Sequence, residues 1–303
     1  MAKKIIVLGA GMVGSAIAID LSQTHDVVVA DLNKERLQQL TGISTQVLDI
    51  SKPNVLEQTI ADFDLVICAV PGFLGFNTLK RIIECKKNVV DISFFPENAL
   101  ELNELAKKNN VTAIVDCGVA PGLDNLILGY ANSNMKVTDF ECLVGGLPKE
   151  KKWPFFYKAP FSPIDVIEEY TRPARYVENG HLVTKPAMSD CEYVEIPKVG
   201  TLESFNTDGL RSLIHTMPHI PNMKEKTLRY PGHISTVRAL KESGFFSTEK
   251  ITIGEIEMSP LSFTSQILFN EWKLKETDEE FTVMTIKIKG VDLKSQKNKV
   301  VMY

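Results

Sequence analysis

Near the N-terminus, Gly9-Ala10-Gly11-Met12-Val13-Gly14 forms a G-x-G-x-x-G between an apolar, β-branched run (KIIVLG) and a helix-period segment. Asp31 ends the next apolar run, 22 positions after Gly9. Such a pattern suits a dinucleotide. The first glycine permits a tight turn, the second lets the backbone approach a pyrophosphate, and the third lets the helix pack closely on the strand. Free N–H groups of Gly11, Met12 and Val13 at the helix start, with the helix dipole, hold the anion. A ligand-free strand–helix turn would explain the glycines but not the acid at the end of the following strand. A carboxylate at Asp31 accepts both ribose hydroxyls and repels a 2′-phosphate, so the expected cofactor is NAD rather than NADP. Arg36 falls inside the next helix and reads as a solvated residue.

The same logic assigns the ends of the later strands. Asp49 and Ile50 are placed to approach the adenine, and Ala69-Val70-Pro71 to line the nicotinamide side of the crevice. Asp91, with Ser93, ends the fifth run on that edge. It either lines the crevice or caps backbone amides, a common use of Asp in turns.

Positioning these residues takes a strand–helix alternation, and the chain supplies one. KIIVLG, DVVVAD, TQVLD, DLVICAV, NVVDIS and VTAIVD are short and nearly continuous apolar runs, as parallel strands buried on both faces require. Between them, Gly11–Ser22, Lys34–Leu40, Asn54–Ala61, Asn77–Cys85 and Asn98–Asn109 carry helical periodicity. Asn54 with Glu57 has the form of a capping box. The pattern predicts a doubly wound parallel sheet over residues 1–121. After Pro121-Gly122 the style changes to alternating strands and hairpin signals. Asn179-Gly180 is a strong turn pair, and FTVMTIKIKGV reads as a half-exposed antiparallel strand. Residues 122–303 are expected to form an α+β, mainly antiparallel domain for substrate binding and dimerisation.

Composition excludes several function classes. The chain has 303 residues, 44% hydrophobic and 24% charged, which suits two globular domains of about 150 residues each. A net charge of −4 argues against nucleic acid or an anionic membrane as partner. Lys149, Lys151 and Lys152 read as a solvated loop. The five cysteines are scattered without a C-x-x-C pair, which fits a reducing cytoplasm and neither a disulfide framework nor a zinc site. His215 and His219 are split by Pro218 and lack the Glu of a zinc motif, so no metal is expected. Lys3-Lys4 and the apolar run behind them superficially resemble a signal peptide, but the fingerprint glycines and Asp20 interrupt it.

More specific motifs follow. They are VVDISFFPE, AVPGFLG, Asp116 through Asn125 (DCGVAPGLDN), Gly145-Gly146-Leu147-Pro148, Tyr157-Lys158, Phe161-Ser162-Pro163 and Thr227 through His233 (TLRYPGH). In this order they resemble the saccharopine reductase and lysine 6-dehydrogenase family, collinearly from the fingerprint to about Phe246. Glu203 through Leu210 (ESFNTDGL) resembles the lysine 6-dehydrogenase branch. Ala120 and Val144 depart from the Asp and Cys that saccharopine reductases tend to carry there. Members usually continue past the position of Tyr303 with a segment that returns to the first domain.

The resemblance implies oxidation of a lysine ε-amine to an imine, with hydride passing to NAD and water releasing ammonia. It implies a substrate site at Asp116, Gly146, Tyr157, Lys158, Thr207, Arg211, Thr227 and Arg229, and a homodimer. A carboxylate clamp is an arginine's task, and Arg211 and Arg229 are the expected pair. The amine must lose a proton first. Asp208, His233, Lys158 and Asp116 are chemically able to take it, and Asp208 and His233 rank first. Two other readings stay open. One is the reductive condensation of an amine with a semialdehyde, as in saccharopine or carboxynorspermidine synthesis, with Arg172 and Arg175 serving extra carboxylates. The other is a non-catalytic NAD-binding sensor or scaffold.

Overall fold

The computed structural model describes residues 2–52, 54–159, 163–275 and 277–303. Phe161 and Ser162, part of the family motif, lie outside the described residues. The chain divides into two compact units, one through Val119 and one from Ala120 onward.

In the first unit, β1 (Lys4–Leu8), β2 (Asp26–Asp31), β3 (Ser44–Val47), β4 (Leu65–Cys68), β5 (Asn88–Asp91) and β6 (Ala113–Ile114) make one sheet. Its order is β3-β2-β1-β4-β5-β6, and every pairing is parallel. The crossovers run through α1 (Met12–Ser22), α2 (Lys34–Gln38), α3 (Val55–Ile60), α4 (Gly72–Glu84) and α5 (Asn103–Asn109). Both faces are covered, which is why β1 is apolar at successive positions. Ile6 and Leu8 join a core with Leu56, Ile60, Leu79 and Ile82, while Ile5 and Val7 join another with Ala18, Val29 and Leu37. Strand order reverses between β1 and β4, and the crevice at such a switch point is where doubly wound folds bind ligands.

Two local expectations fail here. Asn54 is left-handed (φ 61°) and makes no side-chain cap, so the capping box does not form. Glu57 is held instead by Arg81, whose Nε and Nη2 donate to its two oxygens at 2.7 and 2.9 Å. Helix α4 begins at Gly72 rather than Asn77. Gly75 serves packing: a Cβ there would lie 2.6 Å from both Ser93 Cβ and Phe95 Cδ1.

The second unit begins with α6 (Leu123–Asn132) and β7 (Met135–Pro148). Next come α7 (Pro163–Thr171), β8 (Ala174–Glu178), β9 (His181–Lys185), β10 (Glu192–Ile196) and β11 (Gly200–Asn206). Then come α8 (Leu213–Thr216), β12 (Asn222–Arg229), α9 (His233–Glu242) and a separate hairpin of β13 (Ile251–Ile253) and β14 (Ile256–Met258). The chain ends with α10 (Pro260–Trp272), β15 (Glu280–Asp292) and β16 (Asn298–Met302). The main sheet runs β10-β11-β12-β7-β15-β16, with β8 bridging β12 and β9. All its pairings are antiparallel except β12 on β7. Asn179 (φ 51°) and Gly180 (φ 78°) turn β8 into β9 with the two positive angles of a primed hairpin turn. Ser259 caps α10 by accepting from Ser262 N at 3.2 Å, with Pro260 in the first turn. No helix among the described residues is long and apolar enough to cross a membrane.

Two glycines test this packing in opposite directions. A Cβ at Gly145 would lie 2.3 Å from Leu228 O, whereas one at Gly129, inside α6, meets nothing within 4 Å. Gly145→Ala is expected to lower stability by about 2 kcal/mol or more. Gly129→Ala is expected to raise it by roughly 0.5–1 kcal/mol. Denaturant unfolding of both variants checks the pair.

Candidate functional site

The glycine loop sits at the carboxyl end of β1, against the end of β4. Gly9 has φ 113°, and a Cβ there would lie 2.3 Å from Ala69 O. A Cβ at Gly14 would lie 2.2 Å from Gly9 O, so α1 can rest on the strand only without one. Gly11 differs. Its Cβ position meets nothing within 4 Å, and the helix it caps has neither a side-chain cap nor an acid in its first turn. Met12 and Val13 are exposed beside it. Open space above uncapped N–H groups fits a pyrophosphate. Asp31 completes the loop, accepting Ala10 N at 2.6 Å and Asn33 N at 2.7 Å.

The other strand ends have separate local roles. Asp49 accepts from Ser51 N at 3.1 Å, and the Ser51 hydrogen bonds hold its pKa below the usual value. Ile50 offers its carbonyl to Arg81 Nη1 at 2.5 Å. Ala69 N donates to Leu8 O at 2.9 Å, Val70 is buried, and Pro71 precedes α4 as its cap. Asp91 is buried and accepts Ser93 N at 2.9 Å and Ser93 Oγ at 3.2 Å. Of its two expected roles, these bonds are those of a turn cap. Burial and the Asp91 charge hold the neighbouring Cys68 thiol well above its usual pKa.

In the second unit the residues around Arg229 form a closed seat. Only 2% of Arg229 is exposed. Its guanidinium stacks 4.4 Å from the Tyr157 ring centroid. Nε donates to Tyr170 Oη at 3.3 Å, Nη1 to Leu228 O at 2.9 Å, and Nη2 to Tyr157 Oη at 3.4 Å and Glu169 Oε2 at 3.1 Å. Burial opposes the charge, but Tyr157, Tyr170 and Glu169 outweigh it and keep the pKa above the ordinary guanidinium value. Trp272 and Phe155 close the aromatic wall.

His233 is locked into this seat. Nδ1 lies 2.7 Å from Phe155 O, a pure acceptor, so Nδ1 carries the hydrogen. Nε2 then accepts the Tyr170 O–H at 2.8 Å. Burial, with Arg229 nearby, pushes its pKa down to about 3. The ring is therefore a neutral relay, not the proton acceptor expected from its position. Asp208 departs likewise. Its Oδ1 and Oδ2 take Arg175 Nε and Nη2 at 2.9 and 2.7 Å, and Oδ1 also accepts Arg175 N at 3.1 Å. The carboxylate is committed to an ion pair.

The remaining residues each have a local setting of their own. Thr207 and Thr227 share a hydrogen bond of 2.9 Å, and Thr227 precedes Arg229 by two positions on β12, hence on the same face. Arg211 is buried with φ 42°, and Asp116 is buried with φ 52°. Gly146 pairs with Thr282 in the β7–β15 ladder. Lys158 Nζ donates to Glu271 O. Arg172 and Arg175 are paired with Glu168 and Asp208. Sequence reasoning missed Glu169, Tyr170 and Trp272. The only signal for the first two was the Glu-Glu-Tyr run on a helix, which reads as an ordinary amphipathic face.

Two predictions follow from this geometry. Gly11→Val should leave thermal stability near the parent's and weaken NADH binding at least about tenfold, about 1.4 kcal/mol. Gly14→Val should instead destabilise the unit itself, and parental NADH affinity in Gly11→Val would remove the loop as the pyrophosphate seat. A histidine whose folded pKa is depressed contributes stability above the unfolded value of about 6.5, lost as pH falls toward its folded value of about 3. Unfolding free energy should fall below pH 6.5 by about 1.4 kcal/mol per unit from this group, and the slope should flatten in His233→Gln.

Comparison with known proteins joins the two units. Residues 5–114 match the saccharopine dehydrogenase NADP binding domain, and residues 118–303 the saccharopine dehydrogenase C-terminal domain. The chain is 26% identical over 309 residues to the Saccharomyces cerevisiae saccharopine dehydrogenase [NADP(+), L-glutamate-forming], covering 96% of this chain and 68% of that protein. It is 27% identical over 242 residues to the Arabidopsis thaliana alpha-aminoadipic semialdehyde synthase, covering 74% of this chain and 23% of that protein. The chain thus spans about two thirds of the first relative and about a quarter of the second. An apo structure of the yeast saccharopine dehydrogenase has the same fold, with a TM-score of 0.74 at 20% identity over 99% of this chain and 84% of that one. One family domain lies over each unit, and the chain belongs to the saccharopine dehydrogenase family.

Proposed function

We propose that the chain is an NAD-linked oxidoreductase acting at the CH–NH group of an amino acid, with the ε-amine of lysine as its substrate group. The observation that carries this reading is the Arg229 seat, a buried, pre-oriented guanidinium able to hold one carboxylate. Of the extra arginines that a product with several carboxylates would want, Arg175 is held on both oxygens of Asp208 and Arg172 pairs with Glu168, while Arg229 meets its own partner, Glu169, at one oxygen. A nicotinamide cofactor held by the glycine loop through Gly11 and the start of α1 would supply the hydride acceptor for the carbon that bears the amine.

The chain's own residues then have separate tasks. Gly11 and the start of α1 hold the pyrophosphate, and Asp31 receives the ribose. A phosphate on that ribose would meet a carboxylate already facing the loop, which supports NAD. The Tyr170–His233 relay orients Arg229 without carrying charge of its own. Asp208 fixes Arg175.

A second reading has a specific observation behind it. The matched first domain is described as NADP binding, and the yeast relative's name gives saccharopine and NADP(+). On that reading the chain works at the secondary amine of saccharopine with a 2′-phosphorylated cofactor.

Reduced cofactor formation separates them, measured at about pH 9–10 where the amine, of ordinary pKa near 10.4, is partly neutral. NAD and NADP are each offered with L-lysine or saccharopine. Turnover of lysine with NAD is expected. Turnover of saccharopine with NADP alone would replace the first reading with the second. NADH binding without turnover of any amine would leave a cofactor-binding module.

A further inference from the structure

We propose that Glu169 is an internal stand-in for the ligand carboxylate that Arg229 binds, a displaceable counter-ion that competes with substrate for the same guanidinium. The inference rests on reading Arg229 as the carboxylate clamp. A cation with 2% exposure needs an anion beside it, since a lone buried charge is strongly unfavourable. Among the described residues, Glu169 is the carboxylate ion-paired with it.

The form of this pair sets it apart from the two-point arginine pairs of the chain, though the i, i+4 pair of Arg172 with Glu168 shares its single contact. Arg175 grips Asp208 through Nε and Nη2 on both oxygens, and Arg81 grips Glu57 the same way. Arg229 touches Glu169 through one N–H and one oxygen, at 3.1 Å. With Nε and Nη1 turned to Tyr170 and Leu228 O, the guanidinium presents a carboxylate with Nη2 alone. The glutamate side chain is also 14% exposed, so it has a way out that the arginine lacks.

Everything else about Arg229 stays in place if Glu169 leaves. Tyr157, Tyr170 Oη and Leu228 O hold the guanidinium by neutral contacts. Tyr170 is pinned in turn by His233 Nε2 at 2.8 Å and, through its carbonyl, by Lys241 Nζ at 3.0 Å. Only the Glu169 side chain has to rotate. Exchanging one carboxylate for another conserves the charge and the hydrogen bond, so the arginine is never uncovered. Burial already holds the Glu169 pKa above its usual value despite Arg229, which marks its carboxylate as an ill-solvated one.

The test uses Glu169→Gln in the full chain, with sodium acetate and glutarate as probes and sodium chloride of equal ionic strength as reference. The variant should melt below the parent in chloride. Acetate or glutarate should raise its melting temperature by several degrees and the parent's far less. Glutarate should bind the variant about tenfold more tightly, as removing a competing occupied state requires. Glu168→Gln, whose partner is Arg172, should show no such rescue. Equal carboxylate responses in parent and Glu169→Gln would make Glu169 a fixed structural partner and overturn the inference. If Glu169→Gln does not fold, Glu169→Asp, which weakens the pair and keeps the charge, should bind glutarate more tightly than the parent, and unchanged affinity overturns the inference. Carboxylate-specific rescue without turnover of any amine would sink the proposed function and leave this inference standing. Turnover of lysine without the rescue would do the reverse.

Discussion

The second unit is organised around the problem of keeping a guanidinium out of water. Desolvating a full charge is costly enough that every donor must find an acceptor and the charge an opposite, and removing such a partner typically costs on the order of 3–5 kcal/mol. Tyr157 supplies a π face and an oxygen, Tyr170 an oxygen, β12 its own carbonyl, and Glu169 the negative charge. These demands propagate outward. Tyr170 can accept from Arg229 only if its own hydrogen points elsewhere, and the neutral His233 receives it. His233 can do so only because Phe155 O fixes the tautomer. A buried histidine, two buried tyrosines and a carbonyl are thus consequences of one buried cation.

The first unit is governed by a different constraint, the closeness of backbones. Gly9 and Gly14 stand where β1, α1 and the end of β4 leave no room for a Cβ, and the reversal of strand order opens the crevice at that spot. The contact is steric, backbone against backbone, and ligand binding is left to Gly11 and to Asp31. The separation is useful. Packing glycines and ligand-facing glycines share one motif but answer to different forces, so they fail in different ways when replaced.

Much of this was legible in the sequence because periodicity reports burial directly. Continuous apolar runs announced strands covered on both faces, and Asn179-Gly180 announced its hairpin through the backbone angles those residues tolerate. Errors arose where one residue type serves two ends. Gly75, which precedes the expected helix start at Asn77, proved to be close-packed helix. Asn54 and Glu57 had the spacing of a cap, but a distant arginine, Arg81, took the glutamate. Asp208 and His233 carried the right chemistry for proton transfer and turned out to be absorbed by Arg175 and Tyr170. Such partners lie 24 to 63 positions away in the chain, and no local pattern encodes them. Glu169 and Trp272 were overlooked for the same reason.

The placement of the two tryptophans carries an optical consequence. Trp153 is 81% exposed, while Trp272 is fully buried beside Tyr157, Tyr170 and His233. Their emission therefore separates by solvent polarity, a red-edge component open to dissolved quenchers and a blue component shielded from them. The blue component originates in the wall of the Arg229 seat. The molecule thus carries its own fluorophore where a charge is bound or exchanged, and acrylamide suffices to silence the other one.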